Sequence, residues 1–201
     1  MTRAAEARAI PVRMLPKDIG VALVVLLALG LGLLLKLQAE GRATTFRGAE
    51  SPFSITYPAG WSALDPAEGT LLSVEDPLAD SAFKTALTVD ERLLDPADAP
   101  DLQTLVDRRI GERAQLLGYH LIGRSDTTVD GVPAARLDYA YVAQPIDTPL
   151  RASRPVVVMA REYIVIVPNA TTYYITLAAP EAEAEPALAR FEQMIRTVKV
   201  Q

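Results

Sequence analysis

Three aspartates fall close together around two prolines: Asp95, Asp98 and Asp101 beside Pro96 and Pro100. Oxygen ligands gathered in a loop are what a hard divalent cation needs. Their spacing fits no calcium-binding loop, and Asp101 stands where a helix needs its cap, so no metal ligand is assigned. His120 is the single histidine, so a two-histidine metal site is out of reach and a Ser-His-Asp triad would have this one residue to draw on. It follows Gly118-Tyr119 and reads as a surface or boundary residue. With no cysteine there is no disulfide, no thiolate nucleophile, no thiolate-ligated metal and no lipid-bearing thiol. Serine, threonine, aspartate and lysine occur in no recognisable catalytic spacing, so the chain is read as a non-enzyme with no catalytic residue and no cofactor. Asn169-Ala-Thr171 fits a glycosylation acceptor, but it reads more simply as a turn entering a strand. Tyr139, Tyr141, Tyr163, Tyr173 and Tyr174 could build an aromatic ligand platform. At alternating strand positions they read instead as core with a hydroxyl-bonded rim.

The elements that carry these residues follow from periodicity. Phe53, Ile55 and Tyr57 alternate with polar residues as in a half-buried strand, ended by Pro58 and Gly60. Residues 70–75 and 85–93 are further strands around a turn-rich stretch. Over residues 101–117, Leu102, Leu105, Val106, Ile110, Ala114 and Leu117 share one helical face, with Asp107, Arg108, Glu112 and Arg113 read as a solvated face. Asp101 and Gly118 suit its two ends. Asp130-Gly131 is a preferred dipeptide for a tight hairpin between strands 121–129 and 134–142. Residues 156–167 are almost continuously apolar and 171–177 are rich in β-branched and aromatic residues, as central strands are. A last helix is expected at 186–196, with Leu188, Phe191 and Ile195 on one side and the acidic Glu181, Glu183 and Glu185 near its start. Strands, a helix, more strands and a final helix make an α+β domain with helices packed on an antiparallel sheet.

Ahead of this domain, residues 19–35 contain no charged and no polar side chain. As a helix they span roughly 26 Å, close to a hydrocarbon core of about 30 Å, and Lys36 can lift its ammonium to the headgroups. Arg3, Arg8, Arg13 and Lys17 against Glu6 keep the short end cytoplasmic. The expected organisation is a cytoplasmic tail at 1–17, a transmembrane anchor at 18–37, a linker at 38–50 and an extracytoplasmic domain at 51–201. The chain is then a single-pass protein of the cytoplasmic membrane with the lipid bilayer as its first partner. A cleaved signal peptide is the competing reading, but the apolar run exceeds the usual 7 to 15 residues. Within the anchor, Ala28 and Gly32 form a small-xxx-small pair suited to helix packing. Residues 44–201 hold 14 basic and 22 acidic residues, a net charge of −8, which disfavours nucleic acid as a partner.

The stretch F-S-I-T-Y-P-A-G-W from Phe53, the middle amphipathic helix, D-G-V-P-A-A-R-L-D-Y from Asp130, Y-Y-I-T-L-A-A-P from Tyr173 and F-E-Q-M-I-R-T-V-K-V from Phe191 together resemble the PsbP-like superfamily. The resemblance covers residues 44–200. It implies an α/β/α sandwich around a central antiparallel sheet, preceded here by the N-terminal transmembrane helix. It also implies a binding or assembly module, expected to dock on a membrane protein complex such as a photosynthetic or respiratory one. A domain that binds a small ligand or a metal ion is the alternative.

Overall fold

The computed structural model describes residues 16–49, 51–95, 97, 100–144, 146–148, 151–152, 154–168 and 170–200; side-chain surroundings are described for these except 16–19, 34–40, 146–148 and 151–152. The chain divides into two units, Met1–Gly41 and Arg42–Gln201. In the first, α1 (Pro16–Glu40) is one continuous helix. Its described side chains, residues 20–33, are all exposed. Among the described residues no helix is long and apolar enough to cross a membrane. The expected anchor at 18–37 extends beyond residues 20–33 at both ends, outside the side chains that are described.

The second unit runs β1 (Ala43–Arg47), β2 (Ser54–Pro58), β3 (Ser62–Ala63), β4 (Thr70–Glu75), β5 (Ala86–Leu93), α2 (Leu102–Arg113), β6 (His120–Val129), β7 (Val132–Ala143), β8 (Ile146–Thr148), β9 (Arg151–Ala152), β10 (Val156–Val167) and β11 (Thr171–Pro180). A short 3₁₀ turn at Glu181–Glu183 leads into α3 (Ala184–Ile195). Seven strands form one sheet in the order β3-β4-β5-β11-β10-β7-β6, and every neighbouring pair is antiparallel. The expected α+β antiparallel architecture is present.

One face of the sheet packs against α3 and β2. Phe191, Met194 and Ile195 of the helix meet Phe53, Ile55, Tyr173 and Ile175 there. The other face carries Leu137, Tyr139, Ala160, Ile164 and Tyr174 under Leu105 and Val106 of α2. The two faces alternate along each strand because side chains alternate. The last residues close the first core: Ser54 and Lys199 exchange two backbone hydrogen bonds of 2.9 Å each.

Most boundaries move by one to three residues, and three of the differences change how the chain packs. Ala43–Arg47, read as part of a polar linker, pairs with β2 in register Thr45↔Thr56 and Phe46↔Ile55. The middle helix ends at Arg113, where backbone turns replace its last expected residues. Ala114 and Leu117 are therefore exposed instead of lying on the apolar face, and Leu116 turns inward. The last helix begins two residues earlier than expected, at Ala184.

Candidate functional site

The most unusual side chain in the domain is Glu162, a carboxylate with no exposed surface in the middle of β10. Strand alternation sets it on the α2 face between Ala160 and Ile164, two residues of that core. On α2, Arg109 lies four residues after Leu105 and three after Val106, so it continues the buried stripe of the helix. Arg113 follows one turn later. The helix therefore delivers two guanidinium groups where the sheet presents one carboxylate.

All the contacts converge on one oxygen. Arg109 donates to Glu162 Oε1 from Nε at 2.9 Å and from Nη2 at 2.7 Å. Arg113 Nη2 and the Thr176 hydroxyl each donate to it at 2.9 Å. Oε2 is buried with no partner among the described residues. Arg109 is also held by Glu112 Oε2 at 2.9 Å and approaches Asp90 Oδ2 at 3.5 Å. Its guanidinium carbon sits 4.4 Å from the centre of the Tyr174 ring, and that of Arg113 sits 5.7 Å from the Tyr139 ring. Burial alone would push the Glu162 carboxyl up, but the two arginine charges and their hydrogen bonds together outweigh it. Its pKa lies below the usual glutamate range, so the carboxylate is ionised.

A cavity of about 180 Å³ lies beside this cluster. Its origin is in the register. One cross-sheet row on this face reads Leu137, Glu162, Thr176, Thr88; the next reads Tyr139, Ala160, Ala178, Ala86. Three alanines in succession leave the space under the end of α2 unfilled. Ala86, Ala178, Thr88 and Thr176 form the floor, while Arg113 and Leu116 come from the helix end. Tyr139, Tyr141 and Phe83 complete the lining. Burial, ahead of the nearby Glu162 charge for Tyr139, raises the pKa of both phenols, so they stay protonated.

On the opposite face a second polar network joins α3 to the sheet. Arg161 donates to Asp138 and, at 2.6 Å, to Glu192, which also accepts from the Tyr163 hydroxyl at 2.8 Å. A more open depression of about 420 Å³ is lined by Phe46, Gly48, Ser51, Thr70, Leu71 and Glu91 among others. Its hydroxyls are already engaged, Ser51 with the Tyr173 hydroxyl at 2.7 Å and Thr70 with Asp90 at 2.7 Å.

The residues singled out from sequence are dispersed. Asp101 caps α2 by accepting from the Thr104 amide at 2.7 Å, and Asp95 accepts from the Ala97 amide at 2.9 Å. Asp98 and Asn169 lie outside the described residues. Among the described residues no three His, Cys, Asp or Glu side chains gather as a metal ion requires. His120 is exposed at the start of β6. Tyr139, Tyr163, Tyr173 and Tyr174 are buried, and Tyr141 is partly so. Ala28 and Gly32 are exposed on α1, and a Cβ added at Gly32 would meet nothing within 4 Å.

Glu162 and Arg109 were not legible as a site. Arg113 was read as part of a solvated face and is instead half-buried against Glu162. The available signal was a charge at a core position of both elements: Arg109 inside the apolar stripe and Glu162 inside VVVMAREYIVIV. Chemically the cluster supplies hydrogen-bond donors and fixed charge. Its carboxylate is buried, and the two guanidinium charges hold its pKa below the usual glutamate range, so it is a poor base.

No protein-family model and no curated protein matches this chain in sequence. Solved structures do match it in fold. Cyanobacterial PsbP from Synechocystis is 13% identical, with a TM-score of 0.55 over 79% of this chain and 92% of that one. LpqN, involved in cell envelope biogenesis of Mycobacterium tuberculosis, is 15% identical with a TM-score of 0.55 over 79% and 90%. The Ran-binding protein Mog1p of Saccharomyces cerevisiae is 12% identical with a TM-score of 0.51 over 79% and 95%. The domain thus has the fold of PsbP and Mog1, which the sequence resemblance implied.

Proposed function

We propose that this chain is a non-enzymatic accessory module, held at the outer face of the cytoplasmic membrane by α1, that docks on a membrane protein complex. The observation that carries the reading is a helix, α1, with an uncharged apolar run at residues 19–35, joined to a domain of PsbP-like fold. A helix apolar all round needs an apolar surrounding, and the described side chains of α1, residues 20–33, are exposed. The fold recurs in a Ran-binding protein and in an envelope-biogenesis protein, which favours recognition of other macromolecules over catalysis. Tethering would raise the effective concentration of such a module near membrane partners without any added contact.

The lipid bilayer and a membrane protein complex are the partners this reading requires. Mild detergent extraction at natural abundance, followed by native separation, should place the chain in an assembly well above the mass of its monomer. Migration as a monomer alone would sink the docking reading. Protease added to intact spheroplasts should digest the domain and leave an anchor fragment in the membrane. Protection of the domain until lysis would reverse the orientation, and a soluble mature chain starting near residue 40 or 44 would show a cleaved signal instead.

A further inference from the structure

Arg113 is the cation of the cluster with donors to spare. Its Nη2 donates to Glu162, while its Nε is buried with no partner among the described residues. Arg109, by contrast, is divided among Glu162, Glu112 and Asp90 and needs nothing more. Arg113 lines the 180 Å³ cavity, and so do Tyr139 and Tyr141, whose hydroxyls make no hydrogen bond among the described residues. Both phenols keep their protons because burial raises their pKa. Glu162 does not line the cavity, and the Thr176 hydroxyl that does is already donating to it.

The polar part of the lining therefore offers one cationic donor group and three neutral hydroxyls, those of Tyr139, Tyr141 and Thr88, a set that suits an anionic acceptor. The remainder is apolar, with Phe83 and Leu116 facing the alanine floor. An apolar cavity of about 150 Å³ holds a benzene molecule, so this one suits roughly six to ten non-hydrogen atoms. We propose that the cavity binds a small organic carboxylate of that size. Its head lies on the Arg113 guanidinium and the Tyr139 and Tyr141 hydroxyls, and its apolar body lies over Ala86 and Ala178 against Phe83 and Leu116. The site does not depend on docking or on the membrane.

The test titrates the full chain in detergent micelles with acetate, 3-methylbutanoate, benzoate and phenylacetate, and with the primary amide of each, by calorimetry and ligand-observed NMR. At least one of the three larger carboxylates should saturate with a dissociation constant of about 1 mM or tighter. Acetate and the amides should bind at least about tenfold more weakly, lacking the body or the charge. Arg113→Gln should lower the affinity by about tenfold or more. Because that variant disturbs the Glu162 cluster, two others leave it intact: Ala178→Leu fills the floor and should abolish binding, and Tyr141→Phe should weaken it about three- to tenfold. No saturation by any carboxylate up to about 10 mM overturns the proposal. So does equal binding of acid and amide, or unchanged binding in Ala178→Leu.

Discussion

Glu162 holds a full charge where no water reaches it, a burial that costs several kcal/mol unless its partners return it. Arg109 supplies two of the four hydrogen bonds to Oε1, so its removal leaves the carboxylate under-compensated. Arg109→Ala should therefore destabilise the domain by about 3–5 kcal/mol, read as a lower urea midpoint at unchanged slope. A loss below about 1 kcal/mol would show that the ion pair does not hold α2 to the sheet. Replacing both charges by apolar side chains, Arg109→Met with Glu162→Leu, should cost less than Arg109→Ala alone, because no buried charge is then orphaned. Acid sensitivity follows with its sign. The folded pKa of Glu162 is lowered, so its stabilisation is complete above the ordinary glutamate value of about 4.3 and is lost as pH falls through the folded pKa. Glu162→Gln should flatten that part of the stability curve; a curve that stays as steep would assign the acid limb to other carboxylates. These residues escape a reading based on polarity, since a charge in a helical stripe or an apolar run looks like solvated surface until the facing element is known.

Elements with a strong period were the legible ones. β4 and β10 begin and end where the turn-bounded apolar run and the continuous apolarity set them, at Thr70–Glu75 and Val156–Val167. The hairpin was legible in two residues. Asp130 and Gly131 both have positive φ, 51° and 77°, as a two-residue turn matching strand twist demands. Asp130 does more than turn, since its carboxylate accepts from Lys199 Nζ at 2.7 Å and from the Val200 amide at 3.2 Å. A β-branched residue at a left-handed position is strained, so Gly131→Val should cost about 1–2 kcal/mol in thermal or urea unfolding. Gly111→Ala, in α2 with nothing within 4 Å of an added Cβ, should stabilise by up to about 1 kcal/mol and serves as the opposing control. Equal effects of the two would contradict the turn geometry. The overshoot of the middle helix has the same kind of cause: Leu116 and Leu117 keep the apolar spacing, but the left-handed Gly118 reverses the chain toward β6 and the backbone has already turned.

For the molecule as a whole, the decisive boundary is the one the sequence did not show. β1 has a single large apolar residue, Phe46, and its partner β2 lies beyond an intervening turn, so neither alternation nor length marks it as a strand. Its contribution is tertiary, because Phe46 packs against the core that Phe53, Ile55 and Phe191 build. Every residue of both cores lies between Phe46 and Val200, so a chain beginning at Arg42 retains all of them, whereas one beginning at Ser51 loses a strand and leaves the backbone edge of β2 unpaired. Produced without α1, the chain from Arg42 should be soluble, unfold cooperatively and no longer sediment with membranes. The chain from Ser51 should unfold at a thermal midpoint lower by at least about 4 °C, the shift expected when roughly 2 kcal/mol is lost from a domain of this size. Equal midpoints for the two would place the start of the folded domain after β1. Sedimentation of the Arg42 chain with vesicles would show that the domain itself, and not α1, carries the membrane affinity.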